Sequence, residues 1–458
     1  MNINHAIIIA DLGFGDAGKG SIVDALTRQT GAKTVVRYNG GAQAAHNVVT
    51  PDGRRHHTFA QFGSGTLVPG TETFLSRFMM LHPLAMLAEE RHLRTLGVDD
   101  AFARMRVDAQ ALVTTPFQQS ANRIKEMLRG GARHGSCGMG VGETMSDWLA
   151  HGTDVLLAGD LPDQQKTIQK LRFIRDAKWA ELAPQLVDAP MTDELAAEIK
   201  IFHDPAFIEA TADVYAYFAR LVTLTDIDHL RRAAGTLIFE GAQGVLLDEW
   251  FGFFPYNSWS TLTFKNAETL LSEAGFNGET TRLGLLRAYA TRHGAGPFVT
   301  EDAALTAALP DSHNGNNPWQ HHFRVGWLDF VALRYALAVA GKVDGLVVTN
   351  LDRIAALEQW RVCDAYAVPE NTPDIESFFT LQDGRITGIK VSANPTNLPN
   401  EEQRTRLLGQ MQPIYTNYAP QMDAYLERIS ETLGAPIAMT SAGPTALEKS
   451  MLYERVGG

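Results

Sequence analysis

The sequence predicts an α/β fold: one large domain in which helices flank a mostly parallel central sheet. Short β-branched segments alternate with helical segments along the whole chain, which is typical of parallel sheets. Several of the strand-like segments end in loops of small residues, where parallel sheets bind ligands. No repeat of 20–50 residues and no low-complexity linker interrupts the 458 residues. We therefore expect a single domain over residues 1–458.

The first element, residues 7–23, is a β-branched strand followed by a glycine-rich turn and the start of a helix. Glycines let backbone N–H groups approach an anion, and the helix end and Lys19 add positive charge. The spacing from Gly13 to Lys19 matches the start of the phosphate-binding motif G-x-x-x-x-G-K-[ST]. Gly20, however, replaces the Ser or Thr that binds magnesium, so Asp16 is the expected metal neighbour and also a candidate base. The alternative is a glycine-rich turn without a ligand.

The second strand, residues 33–38, runs into another loop of small residues that ends near His46. Carboxyl ends of parallel strands share one edge of a sheet, so Asp16 and His46 are expected to form an acid/base pair near a bound phosphate. A purely structural histidine is the alternative.

The middle of the chain is mainly helical. Residues 84–96 have the apolar spacing of a helix and follow Pro83. The glycine-rich segment 130–142 predicts either a mobile or ligand-ordered loop or a linker without a ligand. Residues 162–234 read as a charged helical insertion that carries no recognisable chemistry.

The C-terminal half repeats the pattern of a strand followed by a polar or glycine-rich turn. Residues 236–248 place Glu240 and Gln243 where they could recognise a substrate through hydrogen bonds. Residues 287–297 place Arg292 beside a similar turn. Residues 343–352 end in Thr-Asn-x-Asp, whose aspartate can accept hydrogen bonds from N1–H and the 2-amino group of guanine. The strand and turn at residues 436–444 could close over the same base.

Composition indicates a cytoplasmic enzyme. The net charge of −12 argues against a surface that coats nucleic acid. No apolar segment approaches the roughly 20 residues that a membrane span needs, and the chain starts without a targeting leader. Two cysteines, Cys137 and Cys363, make no disulfide framework and suggest a reducing compartment.

Motifs spread over both ends of the chain resemble those of the adenylosuccinate synthetase family, GTP-dependent ligases that join aspartate to inosine monophosphate (IMP). The family's G-D-E-G-K-G, V-R-Y-x-G-G and F-E-G-A-Q-G-x-L-L-D sequences, among others, have counterparts at residues 15–20, 36–41, 239–248, 294–298, 326–329, 349–352 and 441–444. The resemblance implies GTP as co-substrate, Mg²⁺ as cofactor, nucleotide and amine substrates, and a homodimer in which one subunit lends a residue to the other's site.

The resemblance also implies roles for individual residues. Asp16 would take the proton from N1 of the purine and contact Mg²⁺, and His46 would stabilise the phosphoryl group moving from GTP to O6. Lys19 would hold the GTP phosphates. The implied catalytic residues are thus Asp16, His46, Lys19 and Gln243. The implied contacts are Gly15, Asp16, Gly18, Lys19, Gly20, Ser21, Asn350, Asp352, Ser441 and Gly443 for GTP; Gln43, Ser136, Cys137, Gln243, Ser258, His321 and Arg324 for the substrates; and Asp16 with the carbonyl of Ala45 for the metal.

Departures from the family's motifs concentrate at the substrate-binding positions. In the loop at residues 316–327, three arginines are replaced by His321, His322 and Phe323, which cannot grip a carboxylate bidentately. The other replacements stand at Gln43, Ala45, Cys137, Met139, Ser258, Pro318 and Trp319, and only His151 lies near the position of the partner subunit's phosphate-binding arginine.

We therefore predict a ligase of this type that phosphorylates an IMP-like carbonyl oxygen and displaces it with aspartate or another amine. Drift with compensating changes and a non-catalytic GTP-binding or regulatory paralogue are the alternatives. Gly20 disfavours a simple GTPase switch. A phage branch that acts on dGMP commonly changes the catalytic aspartate, whereas Asp16 is kept here.

Overall fold

The computed structural model of the protein describes residues 5–311, 314, 319, 322–370, 372 and 374–452. Its strands, numbered in chain order, are β1 (His5–Asp11), β2 (Thr34–Arg37), β3 (His46–Val49), β4 (His56–Phe59), β5 (Glu72–Leu75), β6 (Met80–Leu81), β7 (Met105–Asp108), β8 (Leu112–Val113), β9 (Thr223–Thr225), β10 (Thr236–Glu240), β11 (Glu279–Arg287), β12 (Ala290–His293), β13 (Phe323–Gly326), β14 (Leu328–Asp329), β15 (Gly345–Thr349), β16 (Trp360–Ala367), β17 (Phe379–Gln382), β18 (Arg385–Ile389), β19 (Gln412–Tyr418), β20 (Ile437–Ser441) and β21 (Lys449–Met451).

The α-helices, numbered in the same way, are α1 (Lys19–Thr30), α2 (Pro83–Thr95), α3 (Pro116–Arg129), α4 (Val141–His151), α5 (Gln164–Leu186), α6 (Asp193–His203), α7 (Phe207–Leu221), α8 (Asp228–Arg232), α9 (Lys265–Glu273), α10 (Ala303–Ala308), α11 (Phe330–Ala340), α12 (Leu351–Ala355), α13 (Ile375–Phe378), α14 (Leu398–Leu408) and α15 (Met422–Leu433). No helix of the described residues is long and apolar enough to cross a membrane.

A ten-stranded sheet forms the centre of the molecule, in the order β21-β20-β15-β11-β1-β10-β2-β5-β7-β9. All neighbours are parallel except β20 and β21. In β1, Ile7 packs in one core cluster with Ile22 of α1, and Ile8 packs in another with Leu270 of α9. Burial on both faces explains why β1 is continuously apolar. The predicted α/β fold with a mostly parallel, helix-flanked sheet is confirmed.

A second, mixed sheet follows in the C-terminal half, where β14, β16, β18 and β17 are neighbours and β19 pairs with β16. A large core cluster extends from this sheet through α11 to the loop after β1; it includes Phe330, Trp360 and Leu12. This packing joins the C-terminal sheet to the edge of the central sheet where the site lies.

Helices α5 to α8 occupy the span predicted as a helical insertion at about residues 162–234. Leu171 of α5 and Phe218 of α7 belong to the same core cluster as Phe117 of α3. The span also contains β9, which pairs in parallel with β7 and extends the central sheet by one strand. The interpretation of this span as an insertion into one domain stays a prediction.

Candidate active site

The glycine-rich loop between β1 and α1 turns at three residues with positive φ. Gly15, Asp16 and Gly18 have φ of 101°, 62° and 79°. Glycine adopts this region freely, whereas an aspartate there is held by its surroundings. Helix α1 starts at Lys19 with no side-chain cap and no acid in its first turn, and Ser21 donates its hydroxyl back to the carbonyl of Gly18. The helix N-terminus is therefore suited to bind an anion.

Gly20 lies directly against the strand that carries His46. A Cβ at position 20 would lie 2.9 Å from the Cβ and the carbonyl carbon of His46 and from the carbonyl oxygen of Asn47. A serine or threonine at this position would therefore require β3 to move. The same contact places His46 beside the loop that carries Asp16, as the sequence predicts.

Lys19 is held inside the loop by Asp11, an acid that sequence reasoning missed. The Nζ of Lys19 lies 2.8 Å from Oδ2 of Asp11, and both side chains are buried. The same carboxylate accepts hydrogen bonds from the backbone N–H groups of Gly13 and Ala17, each at 2.9 Å. Lys19 can therefore contact a triphosphate only by sharing or leaving this ion pair. The signal in the sequence was an acid at the last position of the strand, eight residues before the lysine.

Asp16 stands at the open side of the loop, and about a quarter of its side chain (26%) is exposed. Its backbone carbonyl accepts a hydrogen bond from Nε of Arg287 at 2.5 Å, which fixes the turn. Burial alone would raise the pKa of this carboxyl, but His293, together with the charges of Arg287 and Lys19, lowers it to about 2. Asp16 is thus ionised at neutral pH, so it can accept a proton or bind a cation.

His293 is the partner of Asp16 and is the second residue that sequence reasoning missed. Its Nε2 lies 3.3 Å from Oδ2 of Asp16 and 3.1 Å from Oδ1 of Asn314. The ring also lies against Phe323, with 4.8 Å between the ring centroids. The only signal was a histidine at the end of a strand that runs into a glycine turn, 277 positions from Asp16.

His46 is oriented by Glu240. The Nδ1 of His46 lies 2.5 Å from Oε1 of Glu240, whose carboxylate also accepts hydrogen bonds from the N–H and hydroxyl of Ser64. Burial would raise the pKa of Glu240, but Arg37, His46 and Ser64 lower it to about 2. Glu240 is completely buried, so it positions His46 and does not face a substrate, contrary to the expectation from sequence.

Burial lowers the pKa of His46, while the hydrogen bond to Glu240 opposes this shift. The imidazole is therefore neutral at neutral pH, and Nδ1–H donates to Glu240. Nε2 can donate to a phosphoryl oxygen only after it takes up a proton, which the negative charge of a nearby phosphate favours.

Three of the predicted substrate residues come together where β10 ends. Oε1 of Gln243 accepts a hydrogen bond from Oγ of Ser258 at 2.8 Å and lies 3.4 Å from Nε2 of Gln43. Gln243 has a positive φ of 56°. A Cβ on Gly15 would lie 3.6 Å from the backbone of Gln243, so this group adjoins the loop of Asp16.

Ser136 and Cys137 lie on an irregular segment, residues 133–140, that is fastened to α3. Ser136 exchanges hydrogen bonds with Asn122, and the carbonyl of Gly138 accepts from Nε of Arg123 at 3.0 Å. Burial raises the pKa of the Cys137 thiol. A Cβ on Gly135 would lie 3.2 Å from the backbone nitrogen of Ala295, which brings this segment beside the turn after His293.

The residues expected to read guanine follow two neighbouring strands, β15 and β20. The hydroxyl of Thr349 donates to the carbonyl of Ala17 at 3.0 Å, so the end of β15 is tied to the phosphate loop. Asn350 has a φ of 59°, and Asp352 follows it in the first turn of α12. On β20, Oγ of Ser441 donates to the carbonyl of Gly443 at 3.2 Å.

Lys449 also lies at this end of the site, although the sequence did not predict it there. Its Nζ donates to the carbonyl of Gly443 at 2.5 Å, and burial lowers its pKa to about 8, with Glu448 and Asp352 opposing that shift.

Arg324, expected to contact the substrate, is engaged by the protein itself. Its guanidinium donates to Oε2 of Glu301 at 2.7 Å and to the carbonyls of Gly294 and Gly296 at 2.6 and 3.1 Å. Arg292 is buried within β12 and donates to the carbonyls of Ala295, Pro297 and Tyr256, so its role is structural. His321 and Pro318 lie outside the described residues.

Oxygen atoms that could hold Mg²⁺ stand at the same loop. Oδ2 of Asp16 forms an ion pair with Nε2 of His293 at 3.3 Å. Ala45, whose carbonyl is the other predicted ligand, is exposed in the loop before β3. Within the described part of the chain, no three His, Cys, Asp or Glu side chains are grouped to hold a metal.

The profile of the adenylosuccinate synthetase family matches residues 8–449 of this chain. Adenylosuccinate synthetase 1 of Cupriavidus pinatubonensis is 29% identical over 465 residues, covering 97% of this chain and 96% of that protein. Adenylosuccinate synthetase of Neisseria meningitidis serogroup A is 28% identical over 455 residues, covering 98% of both.

Two solved structures share the fold. Fully ligated adenylosuccinate synthetase from Plasmodium falciparum superposes with a TM-score of 0.74 at 20% identity, covering 99% of this chain and 100% of that one. Succinoaminodeoxyadenylate synthetase of cyanophage S-2L, bound to dGMP and to dATP as an energy donor, gives a TM-score of 0.52 at 14% identity, covering 98% and 95%.

Proposed function

The chain belongs to the adenylosuccinate synthetase family of GTP-dependent ligases that form C–N bonds, and from this premise we propose how its own residues carry out the reaction. We assign Asp16 as the base, His46 as the group that stabilises the transferred phosphoryl, and Gln243 as a contact of the purine nucleotide. The loop amides, with Lys19 once it shares its ion pair with Asp11, hold the GTP phosphates.

In the first step Asp16 takes the proton from N1 of the purine lactam. The electron pair of the N1–H bond moves into the ring, O6 forms a bond to the γ-phosphorus, and GDP leaves with the bridging oxygen. Phosphorylation is needed because a lactam oxygen is a poor leaving group. His46, oriented by Glu240 and protonated next to the phosphate, stabilises the charge on the phosphoryl oxygens.

In the second step the amine nitrogen attacks C6, the C6–O6 bond breaks, and inorganic phosphate leaves with O6. The new C–N bond is complete once the nitrogen loses a proton. The two steps use one edge of the sheet, because the segments that carry Asp16, His46 and Gln243 follow β1, β2 and β10, which are parallel strands of that sheet.

One observation supports this assignment most strongly: the backbone and Cβ of His46 pack against Gly20, four residues after Asp16 in the same loop. A base and a phosphoryl-stabilising group therefore flank the helix N-terminus that suits a triphosphate.

The donor atoms at the loop are suited to Mg²⁺. This ion prefers oxygen ligands and is usually held by one or two carboxylates together with substrate phosphates, so a cluster of three protein ligands is not required. We assign the carboxylate of Asp16 and the carbonyl of Ala45 as its protein ligands. When bound, Mg²⁺ would neutralise charge that develops on the phosphate oxygens.

We further propose that the amine donor or the nucleotide differs from aspartate and IMP. Arg324 is committed to Glu301 and two carbonyls, and Phe323 and His322 cannot form bidentate pairs with a carboxylate. A homodimer is also proposed from the family resemblance, and light scattering of the purified chain tests it. A cytoplasmic location is proposed from the composition.

Phosphate release from GTP tests the function. Purified protein is assayed with Mg²⁺ over a panel of purine monophosphates crossed with amino acids and other amines. We expect one pair to stimulate phosphate release and to give a product with a new C–N bond by mass spectrometry. Asp16→Asn should abolish turnover.

Two results would contradict the proposal. GTP binding by calorimetry without stimulation by any pair would favour the non-catalytic alternative. Turnover of Asp16→Asn at the wild-type rate would remove Asp16 from the role of base.

A further inference from the structure

A buried lysine stands at the turn that is expected to close over the guanine of GTP. Lys449 lies in β21, opposite Ser441 of β20 in the antiparallel register. Residues that are opposite each other in such a pair project from the same face of the sheet. Ser441 is one of the residues expected to contact GTP, so Lys449 lies beside it on that face. Lys449 itself is outside the motifs that resemble the family.

The ammonium of Lys449 is buried and has donors to spare. Only 7% of the residue is exposed. Its Nζ donates to the carbonyl of Gly443 at 2.5 Å, and the same oxygen accepts from the hydroxyl of Ser441 at 3.2 Å. That carbonyl is the one hydrogen-bond acceptor of Lys449 in the part of the chain that the structure describes. An ammonium has three N–H donors, so Lys449 can also donate to an oxygen of a ligand.

The turn between β20 and β21 holds Lys449 in this position. The carboxylate of Glu448 accepts hydrogen bonds from the backbone N–H and the hydroxyl of Thr445, at 2.7 and 2.8 Å. A Cβ on Gly443 would overlap the carboxylate of Glu448, so the two sides of the turn are closely packed. Because Lys449 directly follows Glu448, its reach toward the carbonyl of Gly443 is fixed by a turn that has little freedom to move.

Lys449 and the expected guanine reader, Asp352, lie at the same end of the sheet. β20 runs parallel to β15, and Asp352 follows β15 in the first turn of α12. Burial lowers the pKa of Lys449 to about 8. The charges of Glu448, Asp352 and Asp24 oppose that shift. The amine is therefore mainly protonated at neutral pH, and a carboxylate and an ammonium are available at this end of the site.

We propose that Lys449 is a specificity-determining residue for the nucleotide: its ammonium donates to O6 of guanine, next to the N1–H and 2-amino groups that donate to Asp352. This inference rests on the proposed binding of GTP at this end of the sheet. Adenine has an amino group in place of O6 and an acceptor at N1. Each of the two charged groups would then meet a group of the wrong polarity, so adenine is rejected at both positions.

Replacing one atom of the nucleotide tests the contact with O6. In 6-thio-GDP a sulfur, which is a weak acceptor, replaces O6, while N1–H and the 2-amino group remain. Calorimetry at pH 7 measures the affinities for GDP and 6-thio-GDP. We expect the wild-type chain to bind GDP about tenfold or more tightly than 6-thio-GDP, because a hydrogen bond to a charged group is weakened. Lys449→Met should bind both nucleotides with equal affinity.

IDP separates the contact of Lys449 from that of Asp352. It lacks only the 2-amino group of GDP, so the preference for GDP over IDP reports on Asp352. Asp352→Asn should reduce this preference, whereas Lys449→Met should keep it, which also shows that this variant folds with its base site intact. Lys449→Gln, which keeps a neutral donor, should retain part of the preference for GDP over 6-thio-GDP.

Lys170 of α5 provides the matched control. Its Nζ also donates to a backbone carbonyl, that of Val155 at 2.8 Å, and 12% of its side chain is exposed. It pairs with Asp160 and belongs to none of the segments expected to bind GTP. Lys170→Met should therefore keep the wild-type preference for GDP over 6-thio-GDP.

The possible outcomes distinguish this inference from the proposed function. Equal affinity of the wild-type chain for GDP and 6-thio-GDP, or a preference for GDP that Lys449→Met keeps in full, would overturn the role of Lys449 and leave the proposed function standing. A wild-type chain that binds neither GDP nor IDP would instead refute the proposed GTP site and, with it, this inference.

Discussion

At the scale of single residues, the site depends on acids that hold its cations and histidines in place. Asp11 binds Lys19, Glu240 binds His46, and Asp16 binds His293. In the first two pairs the acid is completely buried, which leaves the basic partner with one orientation. We expect such pairs to contribute to catalysis by fixing geometry, because groups displaced by about 1 Å can lose a hundredfold in rate.

Glu240→Gln should reduce turnover while the protein still binds GTP. The amide is similar in shape but neutral, so it can still accept from Nδ1–H of His46 but no longer favours the protonated imidazole. We expect kcat to fall by about 10- to 100-fold with little change in the affinity for a GTP analogue. Steady-state phosphate release measures kcat, and calorimetry measures the affinity for the analogue. An unchanged kcat would show that Glu240 does not act through His46.

The same residue should make stability depend on pH. The pKa of Glu240 is 4.5 as a free side chain and about 2 when folded, so its contribution is fully present above pH 4.5 and is lost as the pH falls from 4.5 toward 2. Urea unfolding should show Glu240→Gln roughly 3 kcal/mol less stable than wild type at pH 7, with the difference shrinking below pH 4.5.

Glu273→Gln is the control for that measurement, because Glu273 forms a half-exposed pair with Arg77. Its free energy of unfolding should stay within about 1 kcal/mol of wild type at each pH. A constant difference between wild type and Glu240→Gln from pH 7 to 3 would contradict the linkage.

Sequence reasoning placed Asp16 in the loop after β1, where the structure has it, and His46 at the end of a loop, where the structure begins β3, but it did not find their partners. Asp16 and His46 follow from glycine loops at strand ends, which are local patterns. The pairs of Asp16 with His293 and of His46 with Glu240 join residues 277 and 194 positions apart. Only the register of β10 and β12 within the folded chain determines those contacts, and no local pattern encodes it.

At the scale of elements, the phosphate loop and β3 form one unit in contact at Gly20. The loop connects the central strand to α1, and β3 returns along the start of that helix. The absence of the Ser or Thr after Lys19, which in sequence is only a departure from a motif, has a steric cause in the structure.

Gly20→Ala should therefore disturb the site. The added Cβ would meet the backbone and Cβ of His46, so β3 must shift. We expect a loss of about 1–3 kcal/mol in the free energy of unfolding and about a hundredfold lower turnover. Gly131→Ala, where a Cβ meets nothing within 4 Å, should change neither quantity. Wild-type turnover of Gly20→Ala would show that β3 adapts to the larger residue.

At the scale of the whole molecule, the site is assembled from loops that are far apart in the chain. Loops after β1, β2, β10, β11, β15 and β20 meet at one edge because these strands are parallel neighbours. The fold class and this edge could be predicted from alternation and glycine turns. The C-terminal mixed sheet and the strand β9 could not, because short strands flanked by helices give weak periodicity.

A ligand that contacts several of these loops should stabilise the whole domain. A non-hydrolysable GTP analogue at 100 times its Kd should add about 2.7 kcal/mol to the free energy of unfolding, within a single transition. An ATP analogue at the same concentration should add less, and Asp352→Asn should reduce the difference between the two. Equal stabilisation by both analogues would refute the reading of guanine by Asp352.

The carboxylate of Asp11 has a consequence for how fast nucleotide is captured. It already accepts hydrogen bonds from two backbone amides of the turn and from Lys19, so the turn has its conformation before a phosphate binds. A triphosphate therefore binds to a loop that is already ordered and does not have to order it first. The association rate should therefore depend on diffusion and on the exchange of the ion pair between Lys19 and Asp11 for one between Lys19 and a phosphate. Both make the association rate sensitive to ionic strength.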